Sequence, residues 1–203
     1  MTKRPPKDSA ASVRGRLEQQ ARTGGRPFEE LLQYFAMERL LYRLSRSPHG
    51  DRFVLKGALM LSVWRVADYR PTRDIDLLAR MPNDVEAVVG IFKAVCQQSV
   101  EDDGLMFDAD SIQGRVIKED ADYEGVRLTF LGYLQRSRLP MQIDVGFGDV
   151  ISPEPSLTDY PALLDFEAPR LRSYPRETVI AEKFEAMVTL GALNSRMKDF
   201  LIY

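Results

Sequence analysis

The chain has one cysteine, Cys96, and one histidine, His49, in 203 residues. A single thiol forms no disulfide within the chain, and these two residues cannot assemble a Cys/His zinc cluster. A Ser-His-Asp triad would have to recruit His49, which lies in the turn-like stretch Ser47-Pro-His-Gly-Asp51. No apolar run approaches the ~20 residues of a membrane-spanning helix. The first residues, Met-Thr-Lys-Arg-Pro-Pro-Lys, lack the apolar core of a secretion signal, so a reducing cytoplasm is the expected compartment. Net charge is also scarce, at −2. Global charge therefore does not steer the protein to nucleic acid, and any such surface must be a local patch. No internal repeat or low-complexity tract is visible.

With 44% hydrophobic and 29% charged residues, the chain reads as globular and long enough to bury a core, as one domain or two small ones. Residues 1–12 are polar and expected to fray. A basic, helix-favouring stretch runs from Val13 to Arg22 and is interrupted by Thr23-Gly-Gly-Arg-Pro27. Leu31, Leu32, Phe35, Leu40, Leu41 and Leu44 recur at helical spacing, which predicts a core-facing helix over 28–46. Phe53-Val-Leu55 suggests a strand, followed by Lys56-Gly57 and a helix over 58–64. Asn83 or Asp84 is placed to cap a helix running to about Gln98. Strands are expected over 112–119, 125–133 and 140–148, the first two joined by a connection at 120–124. Residues 151–175 hold five prolines and little periodicity, as in an extended connection. A helix over 175–190 follows, with Thr178 or Arg176 near its start.

Three of the thirty acidic residues stand out, because each lies in an apolar, strand-like run. Asp74 and Asp76 are two residues apart in Arg70-Pro-Thr-Arg-Asp-Ile-Asp-Leu-Leu78, so on a strand they share a face. Two close carboxylates repel unless a cation lies between them. Hard cations such as Mg²⁺ take oxygen ligands and keep positions open for phosphates. Asp144, between Ile143 and Val145, supplies a third carboxylate on another predicted strand. A two-metal site needs such a set. One metal, on all three carboxylates, would activate an attacking hydroxyl. The other, on Asp74 and Asp76, would bind a triphosphate and stabilise leaving pyrophosphate. Gly57 offers close backbone approach to phosphates, and Lys56 and Lys183 are both candidates for a point charge on them. The Asp-x-Asp pair alone does not choose among hydrolase, kinase and polymerase chemistry.

Lys56-Gly57-Ala58-Leu59, Arg70-Pro-Thr-Arg-Asp74-Ile-Asp76-Leu77, Ile143-Asp144-Val145, Ile180-Ala-Glu-Lys183 and Arg196-Met-Lys198-Asp199-Phe200 occur in this order. The set resembles the AbiEii/AbiGii nucleotidyltransferase toxins, which include the MenT toxins of mycobacteria, over about residues 50–203. The resemblance implies an α+β fold: a DNA polymerase beta-like nucleotidyltransferase core, a mixed sheet flanked by helices, with a short helical C-terminal part. It implies Mg²⁺, in two sites, and an NTP substrate. It further implies NMP transfer to RNA, in some members the tRNA 3′ end, which halts translation, and a cognate antitoxin. Carried over by position, Asp74, Asp76 and Asp144 are metal ligands, Lys183 the triphosphate-binding lysine and Asp199 the late acidic position. Lys56, Gly57, Thr72, Arg73 and Lys183 form the nucleotide-contacting set. The wider superfamily often has Gly-Ser where this chain has Gly57-Ala58, so backbone donors must serve there. In the family the late motif commonly continues with a second Asp and a long helical tail, whereas here Phe200-Leu-Ile-Tyr203 follows Asp199.

The expected division is a polar segment and basic helix over 1–27, the nucleotidyltransferase core over 28–150, and the proline-rich connection with C-terminal helices over 151–203. Arg14, Arg16, Arg22, Arg26, Arg39, Arg43, Arg46 and Arg70 are candidates for an RNA-binding patch. Two other readings need the same residues: a nucleotide- and antitoxin-binding module without transferase activity, and NMP transfer to a protein hydroxyl.

Overall fold

The apolar stripe of residues 28–46 folds as the helix α2 (Phe28–Arg46), preceded by α1 (Ser9–Gly24) across the Gly-Gly-Arg-Pro break. A computed structural model describes residues 9–66, 71–120 and 123–190. The strands are β1 (Phe53–Lys56), β2 (Asp74–Ala79), β3 (Leu105–Asp120), β4 (Tyr123–Leu134), β5 (Ser137–Phe147), β6 (Ser156–Asp159) and β7 (Arg170–Ser173). Among the described residues they form one mixed sheet in the order β3-β4-β5-β2-β1-β7-β6. β2 runs parallel to β5 and antiparallel to β1, while β7 runs parallel to β1. The remaining helices are α3 (Leu59–Val63), α4 (Val85–Cys96) and α5 (Arg176–Leu190).

Strand periodicity divides the sheet into two faces. Ile75, Leu77, Ile143, Val145, Val126 and Leu128 are buried in the core beneath α2 and α4. Their alternating neighbours, including Asp74, Asp76 and Gln142, are only half-buried. Asp84 caps α4 by accepting the N–H groups of Glu86 at 2.9 Å and Ala87 at 3.1 Å. Val88, Ile91, Phe92, Val95 and Cys96 form its buried stripe at helical spacing. Burial pushes the Cys96 thiol up to about 12, so it is no thiolate nucleophile near neutral pH.

Three expectations are corrected. Residues 151–175 are not a bare connection: β6 and β7 extend the sheet, and Tyr160, Leu163, Leu164 and Phe166 join the core. Four-residue strands between prolines are too short to show a period. β3 begins at Leu105, seven residues before the expected Ile112, because a register shift between Asp108 and Gln113 breaks its alternation. Arg39 and Arg43 are not surface arginines. Both are buried against Asp103: Arg39 Nε donates to it at 3.0 Å, and Arg43 donates at 2.7 and 2.9 Å. The physical reason is that α2 is covered on more than one side. Segment 160–167 closes over it, with Leu163 N–H donating to Glu38, Arg39 to the Glu167 carbonyl and Tyr42 to the Glu167 carboxylate. Arg14, Arg16, Arg22 and Arg26 pair with Glu18, Asp165, Glu18 and Glu30 in turn. Arg70 lies outside the described residues.

Candidate active site

The sheet register draws a charged row across the open face. Lys56 on β1 pairs with Asp76 on β2, Asp76 with Asp144 on β5, and Asp144 with Arg127 on β4. One step along, Asp74 pairs with Gln142 and Gln142 with Thr129. Residues in register across a sheet project to the same side. Carboxylate oxygens of Asp74, Asp76 and Asp144 accordingly lie within 4.8 Å of one another. The donors are all hard oxygens, and their spacing suits one or two small divalent cations. The three acidic residues expected to converge do so, though on strands almost seventy residues apart in sequence.

Each carboxylate is positioned differently. Thr72 donates its hydroxyl to Asp74, and the Thr72 N–H in turn donates to the buried Tyr34 hydroxyl at 3.1 Å. A residue of α2 thus sets the loop that enters β2. Gly57 sits at φ +70, and a Cβ there would come within 2.5 Å of Asp76 Cγ and 2.6 Å of Asp76 Cβ. The absence of a side chain at Gly57 is what lets the Asp76 carboxylate stand over the β1–α3 turn. Asp144 is 6% exposed and held by a fork: Arg127 Nε donates to Oδ1 and Nη2 to Oδ2, both at 2.7 Å. That hydrogen bond holds Arg127 above its ordinary pKa, with the charges of Asp144, Asp74 and Asp76 adding to it against the opposing effect of burial.

Lys56 lines the cleft, with its amine 2.9 Å from Asp149 Oδ2. Tyr174 donates its hydroxyl to the same oxygen at 3.0 Å. Burial, with the negative charges of Glu182 and Asp149, pushes the Tyr174 phenol far up, so it stays a donor. Thr72 and Arg73 also line the cleft, Arg73 exposed. α5 borders it through Val179 and Glu182. The Lys183 backbone lies on this helix, but its side chain falls outside the described residues, as do Arg196, Lys198 and Asp199. The cleft encloses about 1930 Å³, well above the ~300–1,000 Å³ of a typical small-molecule pocket.

Arg127, Asp149 and Tyr34 were not anticipated. Arg127 had a signal: a two-residue hairpin at Gln135-Arg136 fixes the β4–β5 register and so the partner of Asp144. Gln135 takes φ +52 there without the Asn-Gly or Asp-Gly sequence that usually marks such a turn. Asp149 follows Gly148 at the end of β5, within the glycine-rich loop. Nothing marks Tyr34 among the other buried aromatics of α2.

A mixed sheet with α2 and α4 against one face, and on the other a carboxylate triad bordered by α5, has the architecture of a polymerase beta-like nucleotidyltransferase core. A family model described as the nucleotidyl transferase AbiEii toxin of type IV toxin–antitoxin systems matches residues 39–201. The chain belongs to that family. Two crystal structures from Helicobacter pylori are similar to it: JHP933, at 16% identity and a TM-score of 0.47 over 76% of this chain, and a putative nucleotidyltransferase, at 16% identity and 0.44 over 75%. The chain spans 55% and 56% of their respective lengths. No curated protein matches it. No helix among the described residues is long and apolar enough to cross a membrane.

Proposed function

We propose that this chain is a Mg²⁺-dependent toxin of the cytoplasm that moves an NMP from an NTP to the 3′ end of tRNA, thereby stopping translation, and that a cognate antitoxin restrains it. The observation that carries the reading is the meeting of Asp74, Asp76 and Asp144 on the open face, in a member of a nucleotidyl transferase toxin family. In the transfer, an acceptor hydroxyl oxygen bonds to the α-phosphorus as the bond to the bridging oxygen breaks. Pyrophosphate leaves, and the hydroxyl proton is lost to solvent. Bound divalent cations supply charge neutralisation for the triphosphate and the reacting oxygens. Asp74, Asp76 and Asp144 hold them. Gly57, through its backbone, and Lys56, Thr72, Arg73 and Lys183 orient the triphosphate. Asp199 completes the set as the late acidic residue.

The test is incubation with Mg²⁺, each labelled NTP in turn and total RNA, beside an Asp76→Ala variant. Label in a tRNA-sized band that vanishes in the variant supports the proposal. Label on protein would assign a protein hydroxyl as acceptor, and NTP binding without label would leave only a binding module. Asp74→Ala, Asp76→Ala and Lys183→Ala should each abolish growth inhibition. Full toxicity in any two of them would overturn the site assignment.

A further inference from the structure

Arg127 contacts Asp144 with a completeness that bears on how a cation reaches the triad. Its Nε and Nη2 take both carboxylate oxygens at 2.7 Å, in the bidentate geometry of the strongest charge-assisted pairs. Gln142 Nε2 stands 3.4 and 3.3 Å from the same two oxygens. Asp144 is 6% exposed, so water does little for its charge. A buried carboxylate stripped of its partner is costly. The Arg127 side chain, by contrast, is 29% exposed and lines the cleft, so it has somewhere to turn. Asp74 is held by the neutral Thr72 hydroxyl, a partner that need not leave when a cation arrives. The three carboxylates are therefore not equivalent.

We infer that Arg127 is the resident counter-ion of Asp144, and that divalent-cation loading at the triad is an exchange in which the guanidinium leaves Asp144 and turns into the cleft. The inference rests on the metal-site reading above. Arg127 is a positioning residue: its fork holds a buried carboxylate in place, and it opposes the cation that shares that carboxylate. Two positive charges on one carboxylate repel, so the guanidinium that stabilises the free site weakens cation binding. Removing it should move those two properties in opposite directions, which a purely structural arginine would not do.

The experiment is a Mn²⁺ titration of the full chain, read by the electron paramagnetic resonance of free Mn²⁺. It compares the parent with Arg127→Gln, Arg127→Lys and Asp76→Asn, each checked for folding by circular dichroism. Parent binding should be lost in Asp76→Asn. Arg127→Gln should bind Mn²⁺ on the order of tenfold more tightly, the effect of one neighbouring charge, while melting below the parent without cation. Arg127→Lys keeps a charge but not the fork, and should fall between. Unchanged or weaker Mn²⁺ affinity in folded Arg127→Gln overturns the exchange and leaves the cation site standing. Should Arg127→Gln not fold, an affinity in Arg127→Lys no higher than the parent's overturns it equally. Absence of Asp76-dependent binding in the parent overturns the site and the exchange together.

Discussion

The Asp76 carboxylate stands in the space that any side chain at Gly57 would enter, with Cγ and Cβ within 2.5 and 2.6 Å of the position a Cβ would take. The glycine of the β1–α3 turn thus makes room for the Asp76 carboxylate opposite it as well as serving the backbone conformation. Substitution there meets two obstacles at once, a collision and a left-handed φ of +70.

Gly57→Ala should therefore displace Asp76 while the helices and outer strands remain folded. A misplacement of about 1 Å in a catalytic group costs roughly 100-fold in rate, and the strained φ adds about 1 kcal/mol of destabilisation. Steady-state nucleotidyl transfer, with a melting curve alongside, checks this. Transfer at the parent's rate in the folded variant would mean that Asp76 does not act from the position it holds here.

Asp74 and Asp76 repel each other when no cation is bound, since their oxygens lie within 4.8 Å while the fork of Arg127 is engaged on Asp144. Asp74→Asn removes one charge but keeps an oxygen to accept from Thr72. In the presence of a chelator the variant should melt higher than the parent, by roughly 2–4 °C per kcal/mol of relief, and it should gain less on adding Mg²⁺. Scanning calorimetry with and without chelator reads both. A lower melting temperature in chelator would show that the repulsion is already neutralised by neighbouring cationic groups.

The contrast between Asp76 and Arg43 shows what was legible beforehand and what was not. Asp74 and Asp76 are readable because a strand's period of two puts them on one face, opposite Ile75 and Leu77. Asp144 is readable for the same reason, but its place beside Asp76 depends on β5 pairing with β2, which no local pattern specifies. The apolar stripe of α2 predicts a helix with one buried face. It does not reveal that Arg39 and Arg43 are buried too, because their partner Asp103 is at least 60 residues away and the covering segment 160–167 has no period. β6 and β7 escape notice at four residues each. Local periodicity marks the candidate carboxylates; long-range pairing decides which charges meet on the open face and which hold the core.

Asp103 is the hub of that buried network, accepting from both Arg39 and Arg43. Truncating one partner of a buried ion pair leaves uncompensated charge and costs about 3–5 kcal/mol. Asp103→Ala, which strands two guanidinium groups, should fall at or above the upper end of that range and shift the urea midpoint accordingly. Asp103→Asn keeps an acceptor and should lose less. Equal losses in the two variants would mean that the charge of Asp103 contributes nothing beyond its shape.

Glu38 gives the fold a pH dependence of definite sign. Its Oε2 accepts the Leu163 N–H at 2.7 Å, while Oε1 is 3.5 Å from Arg39 Nη1, too long for a strong bond. Burial pushes its carboxyl from an ordinary 4.5 up to about 7, against the lowering effects of the Leu163 N–H and Arg39. Between those values the folded chain holds a proton that the unfolded chain has released, so stability falls as pH rises. The contribution is whole below about 4.5 and is lost as pH climbs through about 7. Glu38→Gln fixes the neutral form and keeps an oxygen for Leu163, so it removes this dependence. Relative to the parent, the variant should therefore gain in melting temperature between about pH 5 and pH 8, and the gain should level off above that. A difference independent of pH would show that Glu38 is ionised inside the fold throughout, and that Arg39 compensates its charge despite the longer contact.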